Sequence, residues 1–415
     1  MISIKGISQQ TIAATLLGMA VMAVVSCSQD DTLSRQTEAE PQPIGFNVVL
    51  DRQTASTRAV TSITDATFNA FDVWAFKADD SKAEDMTYVM GVSASKGYQI
   101  SRTSTYGVID SVQQANSGTK IWGYANKRQE TFWPSDGTQS LSFYALSPST
   151  VNTAVTNQTV AVTKTSPSFT YTISHDSQTD IIAAGTTVNL TDINKYGVTG
   201  SVWMAVPLTF KHTMALVDFQ AKLQEGYPGL SVTVYDITIC NAYRKGTCTI
   251  NINPADNTVS WGSFDTKETD AYKFTTGTTT AGITLNTTTG YDGEVATEKP
   301  LTNGTATTNT DNWMVIPQQS LTKWADNTTI TAANTSGQCY LKIHCTISQN
   351  GFNLLTEDYV YVPFEPNWQP NKHYTYTLVF GLGRNSSGVS NGSDITFTVS
   401  TSDWATGTTT NPNLN

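Results

Sequence analysis

The sequence predicts an all-β protein built from antiparallel β-sandwich domains, and three observations carry that prediction. Charged residues make up 14% of the 415-residue chain, against roughly 25% in an average globular protein, and Thr, Ser and Asn fill the polar positions instead. Runs rich in Ala, Glu, Lys, Leu and Arg are missing after the first 26 residues, so long helices are hard to write with this alphabet. From residue 44 onward the apolar residues alternate with polar ones, the mark of a strand with one buried side. No stretch there carries a helical period, so βαβ crossovers and a parallel sheet are not expected.

The chain begins with Lys5 and a 15-residue apolar stretch, Thr11 to Val25. That is shorter than the ~20 residues of a membrane-spanning helix and fits an export signal. The stretch ends in Val24-Val25-Ser26-Cys27, which resembles the lipobox of bacterial lipoproteins, where a small residue precedes the cysteine that is diacylated. Residues 1–26 are therefore read as a lipoprotein signal peptide, and Cys27 as the lipidation site that anchors the protein in outer-membrane lipid. Residues 27–43 read as a flexible tether, because Leu33 alone cannot offset the entropy of ordering it. The start of that tether, Ser28-Gln29-Asp30-Asp31, resembles the acidic tag that sends some lipoproteins to the cell surface.

The strands follow. Ile44, Phe46, Val48 and Leu50 form the first alternating set. Leu341, Ile343, Cys345 and Ile347 form another, as do Tyr374, Tyr376, Leu378 and Phe380, and finally Ile395, Phe397 and Val399. Clusters such as Asp136-Gly137, Asn303-Gly304 and Asn391-Gly392 separate strands at irregular intervals, as in a sandwich. In Val206 to Leu223 the phase changes: Phe210, His212, Met214 and Leu216 hold one, and Val217, Phe219, Ala221 and Leu223 hold the other. A bulge or a handover between sheets produces such a change. The breaker cluster Glu225-Gly226-Tyr227-Pro228-Gly229 comes next. It divides the chain into an N-terminal sandwich at 44–224 and a C-terminal one at 225–404, with a polar tail at 405–415.

Several motifs resemble those of one family, the fimbrillins, the FimA- and Mfa-like subunits and accessory proteins of type V pili. They are the lipobox at Cys27, Ile44-Gly45-Phe46 followed by Thr57-Arg58-Ala59, Phe132-Trp133-Pro134, Phe210-Lys211-His212, Trp313-Met314-Val315-Ile316-Pro317-Gln318, and Trp368 to Tyr374 with the late Trp404. The resemblance implies two tandem transthyretin-like sandwiches and assembly with other pilus subunits by strand exchange. It further implies that an Arg-directed protease cuts at Arg58-Ala59, removing the strand that carries Ile44, Phe46, Val48 and Leu50 and opening a groove for another subunit's strand. The tail after Trp404 has only Leu414 as an apolar residue of consequence, so a terminal donor strand would be built from Ile395, Phe397, Val399 and Trp404.

With Cys27 lipidated, Cys240, Cys248, Cys339 and Cys345 remain, in a compartment that permits disulfides. Cys240 and Cys248 flank Asn241 to Thr247, a candidate hairpin loop, and would bridge if their strands pair. Cys339 and Cys345 sit on one face about 20 Å apart and cannot bridge each other, at ~3.3 Å per residue. No metal site is expected, because His344 faces away from Cys345 and no C-x-x-C pair exists.

Catalytic motifs are absent as well: the chain has four histidines but no H-E-x-x-H, G-x-S-x-G, P-loop or glycine fingerprint. The reading is a protein that is not an enzyme and needs no cofactor. A net charge of −10, from 24 Lys and Arg against 34 Asp and Glu, excludes a nucleic-acid partner. His212 and His373 read as structural, and Trp133 and Trp368 as core or turn anchors. The sequence thus points to a structural or adhesive pilus subunit at the outer membrane, cell surface or fimbrium, meeting other subunits and host or microbial surface ligands. A surface glycan-binding lipoprotein that does not polymerise is the alternative, and coplanar exposed Trp or Tyr pairs would favour it.

Overall fold

The computed structural model describes residues 41–404 except 51–66, 79–87, 103–121, 151–154, 175–177, 196–204, 253–257, 277–281, 287–298, 302–313, 326–327 and 382–394. The described residues belong to one compact unit. The described part is all-β, with two short helices, Leu190–Lys195 and Ile330–Ser336, and a single 3-10 turn, Lys127–Gln129.

A seven-stranded sheet runs in the order β1 (Gly45–Leu50), β9 (Ala205–His212), β8 (Ile182–Val188), β5 (Leu141–Ser147), β2 (Ala70–Lys77), β3 (Tyr98–Ser101) and β4 (Gly123–Tyr124). A second sheet runs β16 (Lys299–Pro300), β10 (Ala215–Leu223), β22 (Lys372–Phe380) and β23 (Thr396–Asp403), with β17 (Met314–Ile316) also on β10. The third runs β14 (Tyr272–Thr275), β11 (Leu230–Cys240), β19 (Tyr340–Gln349) and β20 (Phe352–Pro363), with β15 (Ile283–Asn286) also on β11. The fourth runs β13 (Val259–Gly262), β12 (Lys245–Ile250), β7 (Pro167–Thr172) and β6 (Gln158–Val162), and β18 (Gln319–Ser320) pairs with β21 (Asn367–Trp368).

Burial explains the strand patterns. The centre of the first sheet is covered on both faces, so β2 and β5 are almost continuous apolar runs rather than alternations. Phe71, Val73 and Ala75 point into a core shared with Phe46, Phe68, Trp122 and Phe210. Trp74 and Phe76 point the other way, into a larger core that reaches Trp404. The edge strand β1 alternates instead, with Phe46, Val48 and Leu50 turned inward and Asn47 and Val49 exposed. At Gly185 of β8 the backbone of Asn251 comes so close that a Cβ would meet its carbonyl oxygen at 2.1 Å, so only glycine allows this approach between the first and fourth sheets.

The phase change in Val206 to Leu223 is a handover between sheets. β9 belongs to the first sheet and β10 to the second, with Thr213 and Met214 at the corner. Two pairings depart from the antiparallel expectation: β1 pairs with β9, and β10 with β22, in parallel. A short turn imposes the antiparallel sense only on sequence neighbours, and both parallel pairs join segments more than 140 residues apart. Strands β6 and β7 also reach across the chain, since β7 pairs with β12 from Ser168 to Thr172.

Candidate functional site at the terminal strands

Both terminal strands of the described chain are edge strands. β1 pairs with β9 alone, from Gly45↔Ala205 to Leu50↔Phe210. Of its four inward residues Ile44 is fully buried and Phe46 is 8% exposed, while Val48 and Leu50 are half-buried. The Phe46 ring meets Phe71, Tyr124 and Phe143 at centroid distances of 5.8, 6.2 and 6.4 Å. Ile44 is also held by residues beyond its β9 neighbour: its N–H donates to the Thr131 carbonyl at 2.8 Å, and the hydroxyl of Tyr124 in β4 donates to the Ile44 carbonyl at 2.9 Å. Burial of Ile44 and Phe46 is worth roughly 1.5–3 kcal/mol per side chain, an upper bound because unfolded chains are partly compact.

β23 pairs with β22 alone, from Val379↔Thr396 to Lys372↔Asp403. Apart from half-buried Phe397 its side chains are exposed, and the strand is fastened mainly at its ends. Ile395 is buried at one end and Trp404 at the other, while Phe397 packs on Phe364 and Tyr376 at 5.4 and 6.0 Å. Val399 is 50% exposed, so the apolar face expected from Ile395, Phe397 and Val399 fades halfway along the strand. The Trp404 N–H donates to the Asn371 carbonyl at 3.1 Å, and Lys372 pairs with Asp403 across the last register position.

Cys27, Arg58, Ala59 and the 405–415 tail lie outside the described residues. His175, Trp203 and Trp313 do as well.

The hairpin that would have bridged Cys240 and Cys248 does not form. β11 and β12 lie in different sheets and do not pair, so both thiols are free, as are Cys339 and Cys345. All four are buried, and burial raises each thiol: Cys240 is pushed up to about 12, helped by the Asp270 carboxylate, and Cys248, Cys339 and Cys345 also rise. They pack as small apolar residues.

Each of two histidines is tied to a buried carboxylate. His212 Nδ1 lies 2.8 Å from Asp180, and His373 Nε2 lies 3.0 Å from Asp218. Asp72, fully buried inside β2, accepts from the Ser149 hydroxyl at 2.6 Å and the Thr150 N–H at 2.8 Å. Burial nonetheless holds its carboxyl above the ordinary value of 3.8. Sequence reasoning missed Asp72, Asp180 and Asp218 because their partners are remote in sequence. It also missed a bulge at Tyr235, although the shift from Leu230, Val232 and Val234 to Ile237 and Ile239 marks it.

No group of three or more His, Cys, Asp or Glu able to hold a metal occurs among the described residues. Nor is any described helix long and apolar enough to cross a membrane.

The chain is thus all-β, and its first and last described strands are both sheet edges. Residues 57–404 match the model of the fimbrillin-like family, and the chain belongs to that family. Among solved structures it is similar to a candidate cell adhesion protein from Bacteroides ovatus, with 13% identity over 89% of this chain and 99% of that one and a TM-score of 0.40. It is also similar to one from Parabacteroides distasonis, with 11% identity, 88% and 96% coverage and a TM-score of 0.40. The tip fimbrial protein Mfa3 of Porphyromonas gingivalis, truncated at its C-terminus, is similar over 81% of this chain and 94% of its own, with 12% identity and a TM-score of 0.34. No curated protein matches the chain significantly. Family membership makes this a pilus- or adhesion-type subunit.

Proposed function

We propose that the protein is a structural or adhesive subunit of a cell-surface type V pilus, exported as a lipoprotein through Cys27 and assembled by β-strand exchange. The observation that carries this reading is the seating of β1. It is paired with a single neighbouring strand, yet it places Ile44 and Phe46 inside the aromatic core of the first sheet. Withdrawal of β1 would leave a slot lined by Phe71, Tyr124, Phe143 and the open edge of β9, and such an edge is a template for another chain. Arg58 follows β1 by eight residues and precedes β2, so a cut there would free the strand without touching another described element. β23 is the strand best suited to be given away, being an edge fastened chiefly by Ile395, Phe397 and Trp404. The halves 44–224 and 225–404 would correspond only broadly to the sandwiches of one subunit, since β7 and β10 of the first half pair with strands of the second, with residues 27–43 as tether and 405–415 as tail.

N-terminal sequencing of the form exposed on intact cells tests the proposal. Ala59 as the new N-terminus supports a processed, polymerising subunit. A lipidated Cys27 with β1 still attached would instead identify an anchor that keeps its first strand.

A further inference from the structure

The outer face of the third sheet carries an aromatic row that the strand-exchange reading does not use. Its inner face supplies Val234, Ile237, Ile343, Cys345 and Val360 to the large core. On the outer face the Tyr235 ring lies 4.9 Å from His344, and His344 lies 5.0 Å from Tyr359, directly across the strands. Lys342 Nζ sits 4.7 Å from the centre of the Tyr359 ring. None of the three rings is fully buried, and the His344 and Lys342 side chains are 25% and 27% exposed.

Backbone irregularities in both neighbouring strands converge on this row. In β11 the register shifts between Val234 and Asp236, so Tyr235 is an extra residue and both Tyr235 and Asp236 reach His344. In β20 the register shifts opposite Thr346, where Glu357 adopts a φ of 44°. The Thr346 hydroxyl joins the two bulges: it lies 3.1 Å from the Tyr235 hydroxyl and accepts from the Glu357 N–H at 3.0 Å. Behind Tyr235 the chain passes at Gly282, with a φ of 67°, where a Cβ would lie 2.8 Å from the Tyr235 ring. A bulge re-aims a side chain at the cost of ladder hydrogen bonds, and two bulges serving one row of side chains point to a function for that row.

We propose that the face around Tyr235, His344 and Tyr359 binds a neutral pyranose glycan. The rings are not coplanar, being tilted by 42° and 31° to one another, and it is their partly exposed outer parts that would meet the C–H groups of a sugar. Around them the Tyr hydroxyls, the His344 imidazole, the Lys342 ammonium and the Asp236 carboxylate supply donors and acceptors for sugar hydroxyls. The charges are balanced within the face, which selects neither an anion nor a cation: Asp236 lies 3.3 Å from Lys273 and 3.5 Å from His344, and Asp270 lies 3.5 Å from Lys342. An added peptide strand would lie beside the row, on the free edge of β20, and not over it, since β19 already has β11 and β20 on its two sides. The face stands apart from β1 and β23, so it serves the intact subunit whether or not it polymerises.

The test is a titration of the intact, uncleaved protein with the methyl glycosides and disaccharides of glucose, galactose, mannose and N-acetylglucosamine, followed by the His344 ring resonances and by calorimetry. The expected result is saturable, millimolar-range binding of at least one neutral sugar that shifts the His344 signals. Tyr359→Ala and Tyr235→Ala should each weaken it roughly tenfold or more, Tyr359→Phe should retain it, and Phe352→Ala on the distant hairpin tip should not change it. Lys342→Gln gives a second reading if a Tyr→Ala variant fails to fold, and it too should weaken binding. No binding by any of these sugars, binding unaffected by the Tyr359, Tyr235 and Lys342 variants, or a preference for glucuronic or sialic acid would overturn the proposal. Self-association abolished by Tyr359→Phe would overturn it too, by making a second copy the occupant.

Discussion

His212 and Trp404 stack with ring centroids 4.1 Å apart and planes within 9° of parallel. His212 ends β9 in the first sheet, and Trp404 follows β23 in the second, so the last described residue is clamped onto the corner where the chain changes sheets. Asp180 holds the imidazole at its edge through Nδ1.

Trp404→Ala should therefore cost about 3–5 kcal/mol of stability, the range for deleting a buried aromatic ring. Denaturant unfolding measures the loss. Trp404→Phe, which keeps part of the stack, should lose less than the alanine variant.

The free cysteines give a chemical prediction. Burial raises the thiols of Cys240, Cys248, Cys339 and Cys345, and the thiolate is the reactive form. The folded protein should therefore resist iodoacetamide at neutral pH, and all four thiols should label once it is unfolded. A peptide map showing Cys240 linked to Cys248 would contradict the sheet assignment of β11 and β12.

Asp72 makes stability depend on pH in a defined direction. Its folded carboxyl sits above the ordinary 3.8, so the native state takes up the proton before the unfolded chain does. Its contribution should increase as pH falls through the raised value toward 3.8, level off below that, and be lost again as pH rises. Asp72→Asn should remove this slope from the stability curve and lower the baseline, because the amide cannot accept from both Ser149 and Thr150.

Alternation in the sequence located the inward faces of β19, β22 and the second half of β10, because each packs one side on a core and its side chains must follow. Partner choice was not legible. Ile44 to Leu50 reads the same whether β9 lies beside it parallel or antiparallel, and only the three-dimensional route of the chain decides. The same limit hid the pairing of β7 with β12 and defeated the Cys240–Cys248 hairpin. The Tyr235 bulge was written in the phase shift between Val234 and Ile237, but Thr346 and Glu357, which complete that site, come from β19 and β20.

Cys27→Ala should block acylation and release the protein from the outer membrane. Fractionation with acyl labelling checks it, and unchanged labelling in the variant would end the lipoprotein reading.

The central claim is that β1 is a replaceable strand. Purified protein treated with an Arg-specific protease, then held under conditions that release β1, tests it on a denaturing gel. The account predicts cleavage after Arg58 with the folded remainder intact, then multimers that resist SDS, with both steps lost in Arg58→Ala. A cut protein that releases residues 44–50 and stays monomeric would contradict it.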